Sequence, residues 1–260
     1  MAGVALALVA LVLAAYVLAA IRQRRSGSAW SVWRTASFII GCGLLAVAIS
    51  PWVMAVAHAD LRGHMVQHLL LGMFAPLGLV LGAPGTLLLR TLPVLAARQV
   101  VSFLDTLPVR ILIHPVTALV LDIGGMYLLY LTPLYALSVS DPFVHFMVHL
   151  HFVLSGYLFT WSIAGPDPAP RRPAMLTRML VLFFATAAHA TLSKLMYAHG
   201  FPQGTSHGLD EIRDAAQLMY YGGDMAELLL TIAFFAIWFR HARHGSVSLA
   251  DCDAARRSVS

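Results

Sequence analysis

Two pairs of histidines in this sequence share one spacing, His64-x-x-x-His68 and His145-x-x-x-His149. Side chains four residues apart on a helix lie on one face, a turn apart, so each pair presents two imidazoles in the same direction. The chain has twelve histidines but only two cysteines, Cys42 and Cys252. Two distant cysteines make no disulfide framework, no zinc site and no C-x-x-C copper motif. Imidazole and thioether are copper ligands, and thioether favours the cuprous ion. Met65, Met126, Met147, Met196, Met219 and Met225 supply thioethers along the same stretches. Asp122, Asp224 and Glu227 are acids that could orient a histidine through its second ring nitrogen. No phosphate-binding loop, nucleophile–base pair or nucleotide fold is present, so the chain reads as a non-enzyme.

The elements that position these groups must lie in lipid. Hydrophobic residues make up 59% of the 260 and charged residues 11%, with a mean hydropathy of +0.78. Soluble chains are about 25% charged, so this one cannot cover a water-facing surface. The net charge of +5 does not indicate nucleic acid, because the basic residues sit at the ends of apolar runs and form no stripe. Crossing the hydrocarbon takes about 20 apolar residues. Seven stretches qualify: 2–21, 35–57, 61–81, 111–131, 142–164, 176–198 and 215–239. Long continuous apolar runs are helices, not barrel strands. The sequence therefore predicts an all-α membrane protein, a bundle of seven transmembrane helices. Residues 1–245 form its single integral membrane domain and 246–260 a short cytoplasmic tail. The first run carries Arg22, Arg24 and Arg25 behind it and no basic residue ahead, the reverse of a signal peptide.

Basic residues mark the cytoplasmic side. The loops after spans one, three and five and the C-terminal tail hold fourteen of the seventeen; only Arg62, Lys194 and Arg213 lie opposite. The N-terminus is thus expected outside and the C-terminus inside. After Pro93, Val94, Leu95, Val101, Leu104 and Leu107 alternate with Arg98, Gln99 and Asp105, which predicts a short amphipathic helix on the inner surface. The run from Gly165 to Pro170 reads as a stiff, extended connector.

With this topology nine of the twelve histidines fall on the outer side. By depth they form two layers. The deeper has His68, His149 and His189 with Asp122 and Asp224; the shallower has His64, His145 and His199. Ionisable groups within a bilayer usually face the bundle interior, paired or functional. The metal candidates are accordingly His64, His68, His145, His149 and His189, supported by Asp122, Asp224, Met126 and Met196. His151 is about 200° round the helix from His149 and is expected to face elsewhere. Structural readings compete at each position. A lone membrane histidine commonly hydrogen-bonds between helices, a methionine commonly packs, and the two aspartates could serve tyrosines such as Tyr127 and Tyr220. Cys42 between Gly41 and Gly43, and the pairs Gly124-Gly125 and Gly222-Gly223, read as close helix contacts.

The stretch from His64 to Leu71, followed by Ala75-Pro76-Leu77 and Leu81-Gly82-Ala83-Pro84, resembles the signature of the membrane-integral cytochrome c oxidase assembly factors called CtaG, associated with caa-type oxidases. The His145–His149 span, the Gly165-Pro166-Asp167-Pro168 turn and Tyr220-Tyr221-Gly222-Gly223-Asp224 extend the resemblance over about residues 50 to 240. An unrelated single-span copper chaperone of the same name uses a cysteine pair, which this chain lacks. The resemblance implies a multi-pass protein of a bacterial plasma membrane that helps make active haem-copper oxidase. It implies oxidase subunits as partners and help in bringing copper to them; copper binding by the chain itself rests on the histidine geometry, with a periplasmic copper chaperone as the expected donor. Two other functions fit the histidines: axial ligation of haem b for electron transfer, and copper uptake past Asp122, Asp224 and Glu227. Against these stand the absence of a matching histidine pair on the inner side and the presence of only His114 in the inner half.

Overall fold

The computed structural model describes residues 2–257 apart from Ser28, Pro170 and Ser206, with side chains from Gly3 to Arg240. Among these residues the regular structure is all helical. Five helices are long and apolar enough to cross a bilayer: Gly3–Arg25, Leu61–Leu81, Pro142–Ala164, Met175–His199 and Leu209–Arg240. Two bent pairs raise the count to as many as seven. The elements are α1 (Ala2–Arg25), α2 (Val32–Ala48), α3 (Pro51–Ala59), α4 (Leu61–Leu69), α5 (Ala75–Leu81), α6 (Pro84–Thr91), α7 (Val94–Leu104), α8 (Leu107–Leu112), α9 (Pro115–Leu131), α10 (Leu134–Ser140), α11 (Pro142–Ala164), α12 (Met175–His199) and α13 (Leu209–Arg257).

The second span is not continuous. α2 and α3 meet at 52° because the chain stops and restarts at Ile49-Ser50-Pro51. The Ser50 hydroxyl accepts the Val53 N–H at 3.4 Å, and Pro51 stands at the first turn, where a missing N–H costs nothing. Likewise α9 and α10 meet at 81°. Thr132, ahead of Pro133, is extended, as the proline ring requires of the preceding residue. The third span is one run from Leu61 to Leu81, widened by a π turn over Leu70–Phe74. Pro76, in the first turn of α5, cannot donate to the carbonyl one turn back, at Gly72.

The main core joins α4, α9, α11, α12 and α13, with Tyr130, Leu129, Phe152, Leu192 and Phe234 almost wholly enclosed. A smaller core joins α1, α2 and α6, where Tyr16 stacks on Phe38 at 3.8 Å and donates to the Gly82 carbonyl at 2.7 Å. Cys42 is buried there, and Gly41 abuts the backbone of Gly78 and Leu79. Gly43 touches nothing, so only one of its two flanking glycines is a packing glycine.

The two ends of the bundle differ in chemistry. At one end Arg34 and Arg90 lie over Trp30 at 5.1 and 5.8 Å. There Asp167 is 4% exposed and accepts from Gly85 N, Thr86 N and Thr86 Oγ1 at 3.1, 2.6 and 2.6 Å. Within the expected connector, whose last residue Pro170 lies outside the described residues, Asp167 is therefore an anchor that satisfies the first turn of α6, beyond the spacer the composition suggests. α7 buries none of its residues against the bundle, and Val94, Leu95 and Phe103 are 67%, 75% and 64% exposed. At the other end Glu211 Oε1 accepts from the first amide of α4, Leu61 N, at 2.7 Å and pairs with His207 Nδ1 at 2.8 Å. Beside it the Arg62 guanidinium hydrogen-bonds Asp60 and holds its carboxyl below the usual carboxylate range.

Candidate functional site

The third and fifth spans touch backbone to backbone. A Cβ on Gly156 would collide with the Gly72 carbonyl oxygen, which lies in the π turn of the third span. From this crossing both helices rise toward the histidine end. One turn above Gly72 is His68; above Gly156 come Phe152 and His149. The His68 ring packs edge-on against Phe152 at 4.8 Å and Tyr130 at 6.1 Å. His64, a further turn up, lies 5.0 Å from the Tyr135 ring and 6.1 Å from Tyr130. On α11 the rings of His145 and His149 are 4.1 Å apart, and His58 of α3 lies 4.7 Å from His145.

These imidazoles form a connected column. His64 is within electrostatic reach of His68, His145, His58 and His207, and His68 of His149 and His189. His58 and His145 stand at the rim, His64 and His149 below them, and His68 and His189 deepest. Of the five histidines named from the sequence, His145 and His149 touch ring to ring, while His64, His68 and His189 lie within electrostatic reach of a neighbouring histidine. His199, assigned to the shallow layer, is exposed and stands beside Phe201. His58 and His207 take the place expected of it. His58 arrives because the break at Ser50-Pro51 tilts α3 across the rim. His151 turns away, its Nε2 2.9 Å from the Leu121 carbonyl and its ring seated on Gly125.

Burial sharpens the picture. His64, His68 and His189 are 5%, 3% and 0% exposed. His64 Nε2, His145 Nε2 and both ring nitrogens of His68 and His189 are enclosed with no protein hydrogen-bond partner. A buried polar group without a partner costs about 1–3 kcal/mol. His189 is held in place by Gly223, where any Cβ would strike the ring, while Gly222 makes room for Leu69. The glycine pair on α13 is therefore a cradle for a histidine and its neighbour.

The acids behave differently from one another. Asp122 is buried and accepts from Ser155 Oγ at 3.1 Å. It does not serve Tyr127, whose hydroxyl donates to the Ala188 carbonyl at 2.9 Å. Asp224 is half-buried, whereas Glu227, one turn along, is 5% exposed and has no protein partner for Oε2. Glu227 is within reach of Asp224 and Asp122 and is the more enclosed acid of α13. Met126 and Met196 are buried in the main core with Met65 and Met219, while Met147 and Met225 face out of the bundle. Among the described residues no three His, Cys, Asp or Glu side chains converge as a ready metal cage; the histidines meet as neighbours in sequence along the column.

Residues 14–241 match the family of cytochrome c oxidase caa3 assembly factors, CtaG. The chain belongs to this family. An uncharacterized protein of Mycobacterium leprae is 31% identical over 92% of this chain and 40% of its own length. Uncharacterized proteins of Mycobacterium bovis and Mycobacterium tuberculosis are each 38% identical over 64% of this chain and 26% of theirs. The chain thus spans well under half the length of these curated relatives. No solved structure matches it. Within the CtaG match fall every histidine of the column and the Gly72–Gly156 crossing. His58, on the outer side by sequence, and Tyr130 and Tyr135 lie outside the set of candidate ligands named from the sequence, because a bend and a neighbouring helix bring them in. Glu227 was legible from its helical spacing to Asp224.

Proposed function

We propose that this CtaG-family chain takes copper from the outer face and passes it to a haem-copper oxidase subunit within the membrane, without catalysing a reaction. The observation that supports this most is the set of buried histidines lacking protein partners on facing helices. Copper is the cargo. His64, His68, His145, His149 and His189 would hold it in turn, the rim pair first and His68 with His189 last. A two-coordinate cuprous ion needs two imidazole nitrogens about 4 Å apart, from metal–nitrogen bonds near 2 Å. Imidazoles one turn apart on a helix, with others on the facing span, offer such an ion few ligands at a time and leave it open to exchange. Asp122, Asp224 and Glu227 would balance its charge, and the buried thioethers of Met126 and Met196 would line its surroundings with soft groups.

In this reading the histidine end faces outward and the arginine end faces the cytoplasm of a bacterium, with the N-terminus outside and the C-terminus inside. α7 then lies on the inner membrane surface, its uncovered Val94, Leu95 and Phe103 in the headgroup region. The arginine asymmetry supports this orientation. Oxidase subunits are the receiving partner and a periplasmic copper chaperone the donor.

One experiment tests function and orientation together. A strain lacking the gene is complemented with the chain fused at its C-terminus to a fluorescent protein that matures only in the cytoplasm. The deletion strain should make oxidase short of copper, and the fusion should restore the copper and fluoresce. A fully metallated oxidase in the deletion strain would overturn the function. A dark fusion that still restores copper would reverse the orientation.

A further inference from the structure

At the arginine end a cavity of about 480 Å³ opens between α8, the start of α9, the end of α11 and the chain leading into α12. It plays no part in the histidine column, which lies at the opposite end of the same helices. Its size falls in the range of small-molecule and headgroup sites. Three arginines line it, Arg110, Arg171 and Arg172, together with His114 and Trp161. Their counter-charge is thin. Arg110 and Arg171 share the single carboxylate of Asp105, at 4.0 and 3.7 Å. Among the described residues Arg172 hydrogen-bonds the Asp167 carbonyl, at 2.8 Å, and feels the Asp167 carboxylate only through space, because that carboxylate is hydrogen-bonded by Gly85 and Thr86. Burial, and then the like charge of Arg178, lower the proton affinity of Arg172, yet a guanidinium stays charged in proteins. Its plane is steadied over Trp161 at 6.0 Å.

The rest of the lining is apolar. Leu107, Ile111 and Val116 border the cavity and are 64%, 55% and 47% exposed. In a membrane those flanks meet acyl chains. A cationic floor beside a greasy rim is the complement of a phosphate diester whose own tail is apolar, and arginine holds phosphate in bidentate fashion. Basic pockets between membrane helices on the cytoplasmic side take anionic lipid headgroups by this combination of charge and depth.

We propose that this cavity binds the phosphate headgroup of an anionic phospholipid, held by Arg110, Arg171 and Arg172. A lipid there would tie the α8–α9 corner to the chain between α11 and α12. The phosphate chemistry could equally come from a free anion, and the apolar rim decides for the lipid.

The test uses the full chain purified in detergent and read by native mass spectrometry, after incubation with phosphatidylglycerol, phosphatidylcholine or inorganic phosphate. Phosphatidylglycerol should remain bound at a lipid concentration where phosphatidylcholine is lost. Each basic group near an anionic lipid is worth about fivefold in affinity, so Arg110→Gln with Arg171→Gln should weaken retention about 25-fold. A second variant, Thr117→Phe, fills the cavity without changing charge and should also expel the lipid. Equal retention of the two lipids would overturn the proposal, as would undiminished retention in Thr117→Phe. Inorganic phosphate binding as tightly as phosphatidylglycerol would assign the site to a free anion and overturn the lipid.

Discussion

Cells in which His68 and His149 are both replaced by alanine should keep the chain in the membrane but make oxidase that is copper-poor and inactive. The two rings sit on facing spans, one and two turns above the Gly72–Gly156 crossing, and His68 is enclosed on all sides. Losing even a supporting group at a metal site costs about 10–100-fold in affinity, so losing two ligands should exceed that. Raising external copper should partly restore the oxidase by mass action. Glutamine at both positions separates ligation from packing, because its amide can still hydrogen-bond between helices. If alanine and glutamine fail alike with stable protein, the imidazoles hold metal. If glutamine restores what alanine loses, these histidines only pack the bundle and the copper site is wrong.

The largest structural effect should come from Gly156→Ala. The added methyl would meet the Gly72 carbonyl oxygen. Backbone cannot swing aside as a side chain does. Overpacking of a core costs about 1–3 kcal/mol and occasionally more, and a backbone obstacle places this substitution at the upper end, about 3 kcal/mol. Gly43→Ala is the matched control. Its methyl would enter open space, and alanine is the better helix former by about 1 kcal/mol. Thermal unfolding of the two purified variants should show Gly156→Ala markedly less stable than the parent and Gly43→Ala equal or better. Because the crossing sets the separation of His68 and His149, Gly156→Ala protein that survives should also lose copper. A Gly156→Ala chain as stable as Gly43→Ala would mean that the spans do not meet there.

Much of this was readable in the residues. Apolar runs of the right length mark the spans, and the His-x-x-x-His spacing puts two imidazoles on one face of α4 and again on α11. Gly222-Gly223 and Gly125 announce close approach, though not that histidine rings fill the gaps. What stayed hidden depends on direction changes and on neighbours. Ser50-Pro51 is a plain helix start, but hydropathy runs smoothly through it, so the tilt that carries His58 to His145 was not visible. The π turn at Leu70–Phe74 has no compositional mark beyond Pro76. The anchoring of α6 by Asp167 joins residues some eighty positions apart, which local pattern cannot reveal. Asp122 found Ser155 in place of a tyrosine for the same reason.

The central functional claim is that this chain itself holds copper on its buried histidines. The direct measurement is copper per chain in purified protein, loaded with cuprous ion, freed of excess and assayed for metal, beside the His68→Ala/His149→Ala variant. About one tightly held copper is expected in the parent, as a small set of imidazole ligands allows, and little in the variant, with both chains folded. Copper held equally by the two, or absent from the parent, would contradict it.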